Sequence, residues 1–124
     1  MKIASKAARY LLGLVMVVFG LNAFFNFMPP PELPEKGGQF MGLLFESGYF
    51  NVVAILKIAG GLLLLLGRFV PLGLTLLGPV LVNILIFHLV FDPPGIGLGL
   101  VCAALWITVL PEYRKSFEPL WAAG

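Results

Sequence analysis

A lysine and two asparagines interrupt apolar runs of this chain and are its first candidates for chemistry. Lys57 lies near the middle of the apolar run from Asn51 to Leu66. An ammonium at the centre of a membrane-spanning helix costs at least about 2.5–3.5 kcal/mol, so an ionisable residue there is by default a functional hypothesis. Because an amide carbonyl accepts a hydrogen bond from an ammonium, Asn22 and Asn83 are the expected partners of Lys57.

Two further polar residues, Asn26 and His88, mark the rim of the same candidate site. Asn26 is one helical turn from Asn22, and His88 precedes Asp92 at the i, i+4 spacing of neighbours on a helix surface. A rise of about 1.5 Å per residue puts Lys57 and its two amide partners at a similar depth. The sequence therefore predicts a polar cavity that opens outward past this rim. Its expected aromatic walls are Phe19, Phe25 and Phe87.

Each of these residues also has a purely structural interpretation. Asparagines in membrane helices often serve only as interhelical hydrogen bonds, worth about 0.6 kcal/mol on average. Lys57 could instead extend along its aliphatic stem to the lipid headgroups. His88 could be a polar residue satisfied near an interface, and Cys102, the single cysteine, is expected to be a small packing residue.

The composition is that of a membrane protein. Of its 124 residues, 60% are hydrophobic and 11% are charged. Soluble domains average about 25% charged residues, because their surfaces must face water. Most of the exterior must therefore face lipid, so the bilayer is the first expected partner. A formal net charge of +2 is too small to indicate nucleic acid.

Four apolar segments provide the elements that position the candidate residues. A helix needs about 20 residues to cross the hydrocarbon core, with about 17–25 observed. The fourth segment is short by this measure and is expected to continue past Pro111. The segments are predicted as helices over about 10–28, 49–66, 72–91 and 96–110.

The connections between these segments determine the predicted topology. The prolines of Pro29–Pro34 cannot remain helical, because proline lacks an amide hydrogen. The apolar residues of Phe40–Phe45 indicate a short interfacial helix after them. Short turns at Gly67–Pro71 and Asp92–Gly95 force neighbouring helices to be antiparallel. The predicted fold is all-α: a single domain over residues 1–124 that forms a four-helix transmembrane bundle, up-down-up-down.

Basic residues predict the orientation. Cytoplasmic loops carry an excess of Lys and Arg. On one predicted side of the membrane, Lys36 is the only basic residue of the loops. The other holds Lys2, Lys6, Arg9, Arg68, Arg114 and Lys115. Both termini are therefore expected in the cytoplasm, with the first segment retained as a helix because it lacks a small-residue cleavage site. The expected location is the inner membrane of a bacterial cell.

The sequence holds no self-contained catalytic motif. No nucleophile–base triad, phosphate-binding glycine loop, CxxC pair or carboxylate cluster within a span is present, and one histidine cannot supply a bis-histidine haem. No intrinsic cofactor or metal is therefore expected. Any redox chemistry would need a bound cofactor, a quinone or a partner protein to carry it.

Several strings resemble the DoxX family of small bacterial membrane proteins. The most specific are Gly-Arg-Phe-Val-Pro at 67–71 and Asn-Ile-Leu-Ile-Phe-His at 83–88. Phe-Gly-Leu-Asn at 19–22, Ser-Gly-Tyr at 47–49 and the run at 60–66 also match, so the resemblance covers nearly the whole chain. In that family the position of Lys57 more often carries a carboxylate, and an acidic residue is frequent near Trp106. The reversed charge suits an anionic ligand.

The resemblance implies a four-helix bundle associated with membrane redox complexes, one of which is a thiosulfate:quinone oxidoreductase. It favours a redox-associated subunit that binds a quinone or another lipophilic ligand beside Lys57, at most an accessory subunit of an oxidoreductase. Its partners would be membrane or peripheral redox proteins, or further copies of itself. Two alternatives remain open from the residues: a non-catalytic scaffold or assembly factor, and a small transporter of a solute or lipid.

Overall fold

The computed structural model describes residues 2–30 and 32–123, most of which are helical. The helices are α1 (Ile3–Phe25), α2 (Glu35–Ser47), α3 (Tyr49–Leu66), α4 (Val70–Phe91), α5 (Gly97–Val109) and the single turn α6 (Arg114–Phe117). Short 3₁₀ turns cover Pro93–Gly95, Leu110–Tyr113 and Glu118–Trp121. No strand occurs in the described ranges, so the predicted all-α class is confirmed.

Three of the described helices, α1, α3 and α4, are long and apolar enough to cross a membrane. This confirms the class of protein predicted from composition. Helix α5 has only 13 residues and falls below that length. The predicted fourth segment therefore forms a helix, but one shorter than a full span.

The start and end of α1 differ from the prediction. The helix begins at Ile3 rather than Tyr10, because lysine and arginine are good helix formers and do not interrupt it. It ends at Phe25 rather than Met28. Asn26 adopts a left-handed conformation with φ 50°, and its N–H donates to the Asn22 carbonyl at 2.8 Å. This is a left-handed helix C-cap, a form that asparagine tolerates better than most residues.

Close backbone contact joins α1 and α3. A Cβ placed on Gly13 would lie 2.8 Å from the Gly61 carbonyl oxygen, and one placed on Gly61 would lie 2.8 Å from the Gly13 oxygen. Seven residues along α1, a Cβ on Gly20 would lie 3.0 Å from the Ala54 oxygen. The two helices are therefore antiparallel and in contact over small residues, as expected of helices in a bilayer.

The contacting pairs α3–α4, α4–α5 and α1–α5 are also antiparallel. Gly60 of α3 faces Gly73 of α4, where a Cβ on Gly73 would lie 3.0 Å from the Gly60 oxygen. Helix α5 joins α4 through Trp106, whose indole Nε1–H donates to the Leu74 carbonyl at 3.0 Å. It joins α1 through Ser5, whose hydroxyl donates to the Thr108 carbonyl at 3.3 Å.

The core is concentrated at one end of the molecule. We call this the termini end, because the first residues of α1 lie there, and call the opposite end, which carries α2, the α2 end. The largest fully buried side chains all lie in the half near the termini end: Leu12, Leu64, Val70, Leu74, Leu77 and Val109. The other half is less tightly filled.

Candidate functional site

A large cavity occupies the half of the molecule at the α2 end. Its volume is about 1560 Å³, and residues from α1, α2, α3, α4, α5 and the loop after α1 line it. Ligand pockets in proteins are typically about 300–1,000 Å³, so the space suffices for a large ligand. The lining includes every residue predicted for the site: Asn22, Asn26, Lys57, Asn83 and His88.

The predicted aromatic wall is correct in two of three positions. Phe19 and Phe87 line the cavity, whereas Phe25 is 71% exposed and does not. The prediction for Phe25 failed because α1 ends at that residue, so its helical position no longer indicates an inward face.

Lys57 is buried inside this cavity. The residue is 8% exposed, although its helix also has an exposed outer face that includes Val52 and Ile55. Its Nζ lies 5.2 Å from the centroid of the Phe50 ring, two helical turns closer to the α2 end, which is a cation–π contact. The stem therefore runs along α3 inside the protein, towards the α2 end.

The predicted amide partners of Lys57 are bonded elsewhere. Asn22 Oδ1 accepts a hydrogen bond from the Met28 N–H at 2.8 Å. Asn83 Nδ2 donates to the Pro79 carbonyl of its own helix at 2.8 Å. The predicted Lys57–asparagine hydrogen bonds are absent from the described residues. The oxygen of Asn22 is engaged by Met28, whereas Asn83 is bonded through its nitrogen and keeps its oxygen free.

Among residues 2–30 and 32–123 the ammonium of Lys57 forms no hydrogen bond or ion pair, and it has the cation–π contact to Phe50. All five predicted residues share one cavity, but they do not form one hydrogen-bond network. In the described part of the chain, the fully buried side-chain nitrogen without a hydrogen-bond partner is Arg9 Nε, whereas Lys57 lines the cavity.

Asn22 instead stabilises the loop that covers the cavity at its α2 end. Its bond to Met28 holds the chain just after the left-handed turn at Asn26. The loop then passes across the α2 end of the cavity, and Phe27, Met28, Pro29 and Pro30 are among its lining residues.

His88 and Asp92 form the predicted i, i+4 pair at the rim. His88 Nδ1 lies 3.4 Å from Asp92 Oδ2. Gly95 packs directly against this pair, so that a Cβ there would collide with the Asp92 carboxylate and lie 3.1 Å from His88 Nδ1. The 3₁₀ turn after α4 therefore folds back over the histidine.

Helix α2 covers the cavity between α3 and α4. The Phe40 ring stacks on Phe87 and Phe91 of α4, with centroid distances of 5.7 and 5.2 Å. The ring centroid of Phe45 lies 4.5 Å from that of Phe50 on α3. The sequence predicted a helix here, but not that its aromatic side chains would bridge two other helices.

Arg9 is a buried residue that the sequence interpretation missed. It was assigned only a topological role, yet it is 7% exposed and its Nη1 donates to the Leu64 carbonyl at 2.7 Å. Its guanidinium also touches Gly67 and lies 4.5 Å over the Tyr10 ring. The helical spacing could have indicated this burial, because it places Arg9 on the same face of α1 as Leu12.

The groups that line this cavity can bind a ligand. No group of three or more His, Cys, Asp or Glu in the described ranges could hold a metal ion. The cavity offers an unpaired cation, amide groups and a wide apolar wall. No protein-family model matches the chain, and none of the curated proteins or solved structures matches it.

Proposed function

We propose that this protein is a DoxX-like integral membrane protein that binds a lipophilic ligand, a quinone or a similar molecule, in the cavity beneath α2. In this proposal it is a non-catalytic subunit of a membrane redox assembly, and partner proteins or the ligand carry the electrons. The observation that carries the proposal is the cavity of about 1560 Å³ that places Lys57 within an otherwise largely apolar wall.

The proposal includes α5 as a fourth membrane crossing. Helix α5 packs against both α1 and α4. Its 13 residues and the four-residue 3₁₀ turn after it would together extend about 27 Å, at about 1.5 and 2.0 Å per residue. This approaches the roughly 30 Å thickness of the hydrocarbon core. The chain would then be a four-helix, up-down-up-down bundle, with α2 as an interfacial helix at the α2 end.

The distribution of basic residues supports one orientation of this bundle. Lys2, Arg68 and Lys115 belong to the termini end, whereas Lys36 belongs to α2. By the positive-inside rule the termini end would face the cytoplasm. The cavity would then open towards the outer side of a bacterial inner membrane.

The redox association and the lipophilic ligand have separate support. The redox assignment rests on the resemblance of the Gly67–Pro71 and Asn83–His88 strings to the DoxX family. The lipophilic ligand rests on the cavity itself. Its wall is mostly apolar, and it includes Val53, Leu56 and Ile84 from two helices.

A matched pair of substitutions on α3 tests ligand binding. Val53 lines the cavity, whereas its neighbour Val52 is 60% exposed and does not. Val53→Trp should fill part of the cavity and lower the affinity for a quinone analogue in nanodiscs at least about tenfold, equivalent to roughly 1.4 kcal/mol. Val52→Trp should leave it unchanged. Equal binding by both variants and the wild type would refute the proposal.

A scaffold or assembly factor is the second candidate, and one observation favours it. Asn22 and Asn83 both use their amides for bonds within the chain, as residues with a purely structural role would. This candidate predicts that asparagine substitutions lower stability without changing ligand binding. Native mass spectrometry from mild detergent would separate the two candidates, because a scaffold should co-purify with proteins but without a stoichiometric lipophile.

A further inference from the structure

The bonding state of Lys57 constrains the kind of lipophile that the cavity would hold. An ammonium has three N–H donors and no acceptor. The residue is 8% exposed, and its Nζ lies 5.2 Å from the centroid of the Phe50 ring. An ammonium that faces a cavity with largely apolar walls has lost part of its water without gaining an opposite charge, which is unfavourable for the cation.

The cavity offers no carboxylate at the depth of Lys57. Among the described lining residues, Asp92 is the one with a carboxylate. Asp92 follows the last residue of α4 at the α2 end and already lies 3.4 Å from His88. Lys57 is eight residues into α3 from the same end, or about 12 Å deeper at a rise of about 1.5 Å per residue. Asp92 is therefore placed to pair with the rim histidine rather than with Lys57.

The lining around this cation is suited to an apolar chain. Val15 and Met16 of α1, Leu56 of α3 and Leu81 and Ile84 of α4 all line the cavity. The nearest amide from α1, Asn22, uses its oxygen to accept from Met28 and so leaves its Nδ2 donor for another partner. The ammonium and this amide nitrogen are both donors, and the acceptor that Asn83 leaves free, its Oδ1, is neutral and does not balance the charge of Lys57.

We infer that the ligand of this cavity is an anionic lipophile whose acidic head group pairs with Lys57 and whose hydrocarbon part lies along the apolar wall. This inference rests on the proposed binding of a lipophile and favours an acidic lipophile over a neutral quinone. The head group supplies the counter-charge that the described protein lacks. A neutral carbonyl would satisfy one N–H group but leave the charge unpaired.

A comparison of head groups on one hydrocarbon chain tests this inference. Binding of palmitic acid, hexadecanol and hexadecylamine is measured to the full-length protein in nanodiscs of phosphatidylcholine. The acid should bind at least about tenfold more tightly than the alcohol, because both accept a hydrogen bond from the ammonium but only the carboxylate balances its charge. The amine should bind most weakly. Equal affinity for acid and alcohol would overturn the inference and leave the proposed lipophile binding intact.

Variants of Lys57 test whether this residue causes the preference for the acid over the alcohol. Lys57→Met and Lys57→Gln should abolish the preference for the acid while retaining binding of the alcohol, and Lys57→Arg should keep the preference. Lys36→Met, which removes an exposed lysine of α2 outside the cavity, should not change it. A preference that survives in both neutral variants of Lys57 contradicts the inference. Failure of all three probes to bind would instead contradict the proposed function itself.

Changing the lipid composition of the nanodisc distinguishes an anionic phospholipid from a free acid as the natural ligand. Phosphatidylglycerol added to the bilayer should compete with palmitic acid if the natural ligand is an anionic phospholipid. If the natural ligand is a free acid, phosphatidylglycerol should not displace palmitic acid at equal concentration. Where phosphatidylglycerol competes, the competition should be lost in Lys57→Met and Lys57→Gln and retained in Lys36→Met.

Discussion

At the scale of single residues, two buried cations have different roles. Lys57 lines the cavity with its ammonium unpaired in the described part of the chain, whereas Arg9 is bonded to the end of α3. Sequence alone identified Lys57, because its apolar surroundings are visible in the sequence. It assigned Arg9 to a charged flank, since the burial of a residue so near a helix start depends on the neighbouring α3–α4 turn.

The asparagines show where prediction at this scale stops. Their shared cavity was predictable from helical spacing, and the structure has it. Their hydrogen bonds were not, because an amide bonds to whichever backbone group lies within reach. For Asn22 that group is Met28, brought close by a left-handed turn at Asn26 that no periodicity encodes.

Replacement of Arg9 should destabilise the protein more than replacement of an exposed arginine. Arg9→Met removes the bond to the Leu64 carbonyl and should lower the free energy of unfolding by about 1–3 kcal/mol. Arg68→Met, on the exposed α3–α4 turn, removes the same formal charge and should change it by less than about 0.5 kcal/mol. Unfolding in mixed detergent micelles measures both. Equal losses would show that Arg9 acts through charge alone.

At the scale of elements, glycines determine how the helices end and meet. The predicted bounds of α3 agree with the structure because Gly48 and Gly67 adopt left-handed conformations at its two ends. The α1 bounds were less predictable, since its basic start is compatible with both loop and helix. The covering position of α2 was not predictable, because it depends on stacking between Phe40 and residues of α4 that are distant in sequence.

The contact between α1 and α3 should not tolerate added side chains. In Gly61→Ala the new Cβ would meet the Gly13 carbonyl at 2.8 Å, so the helices must separate. We expect a loss of about 1–3 kcal/mol, typical of overpacked interfaces. Gly42→Ala on α2 meets nothing within 4 Å and should be neutral or slightly stabilising. Thermal unfolding of the two variants in one detergent compares them, and a stable Gly61→Ala variant would contradict the close contact.

At the scale of the whole molecule, packing divides the protein into a filled half and a hollow half. The side chains of Leu12, Leu64 and Leu74 fill the termini end, whereas the cavity lies beneath α2. The antiparallel order of the helices was predictable from the short turns between them. The hollow half was predictable only in outline, because cavity volume depends on how far helices separate, and composition does not encode that distance.

The proposed orientation predicts which residues reagents can reach in intact cells. Single cysteines are introduced as Lys36→Cys on α2 and Arg68→Cys on the α3–α4 turn, in a chain whose buried Cys102 is replaced by alanine. A membrane-impermeant maleimide should label position 36 alone, because the positive-inside rule puts position 68 in the cytoplasm. Labelling of position 68 but not 36 would invert the topology.

The most direct test of the central claim is to photolabel the protein in nanodiscs with a palmitic acid that carries a diazirine on its chain. If the cavity binds a lipophile, mass spectrometry should locate saturable labels on cavity-lining positions such as Val53 and Ile84, and unlabelled palmitic acid should compete with them. Labels confined to lipid-facing positions such as Val52 and Leu62, unaffected by competitor, would show that the cavity takes no lipophilic acid.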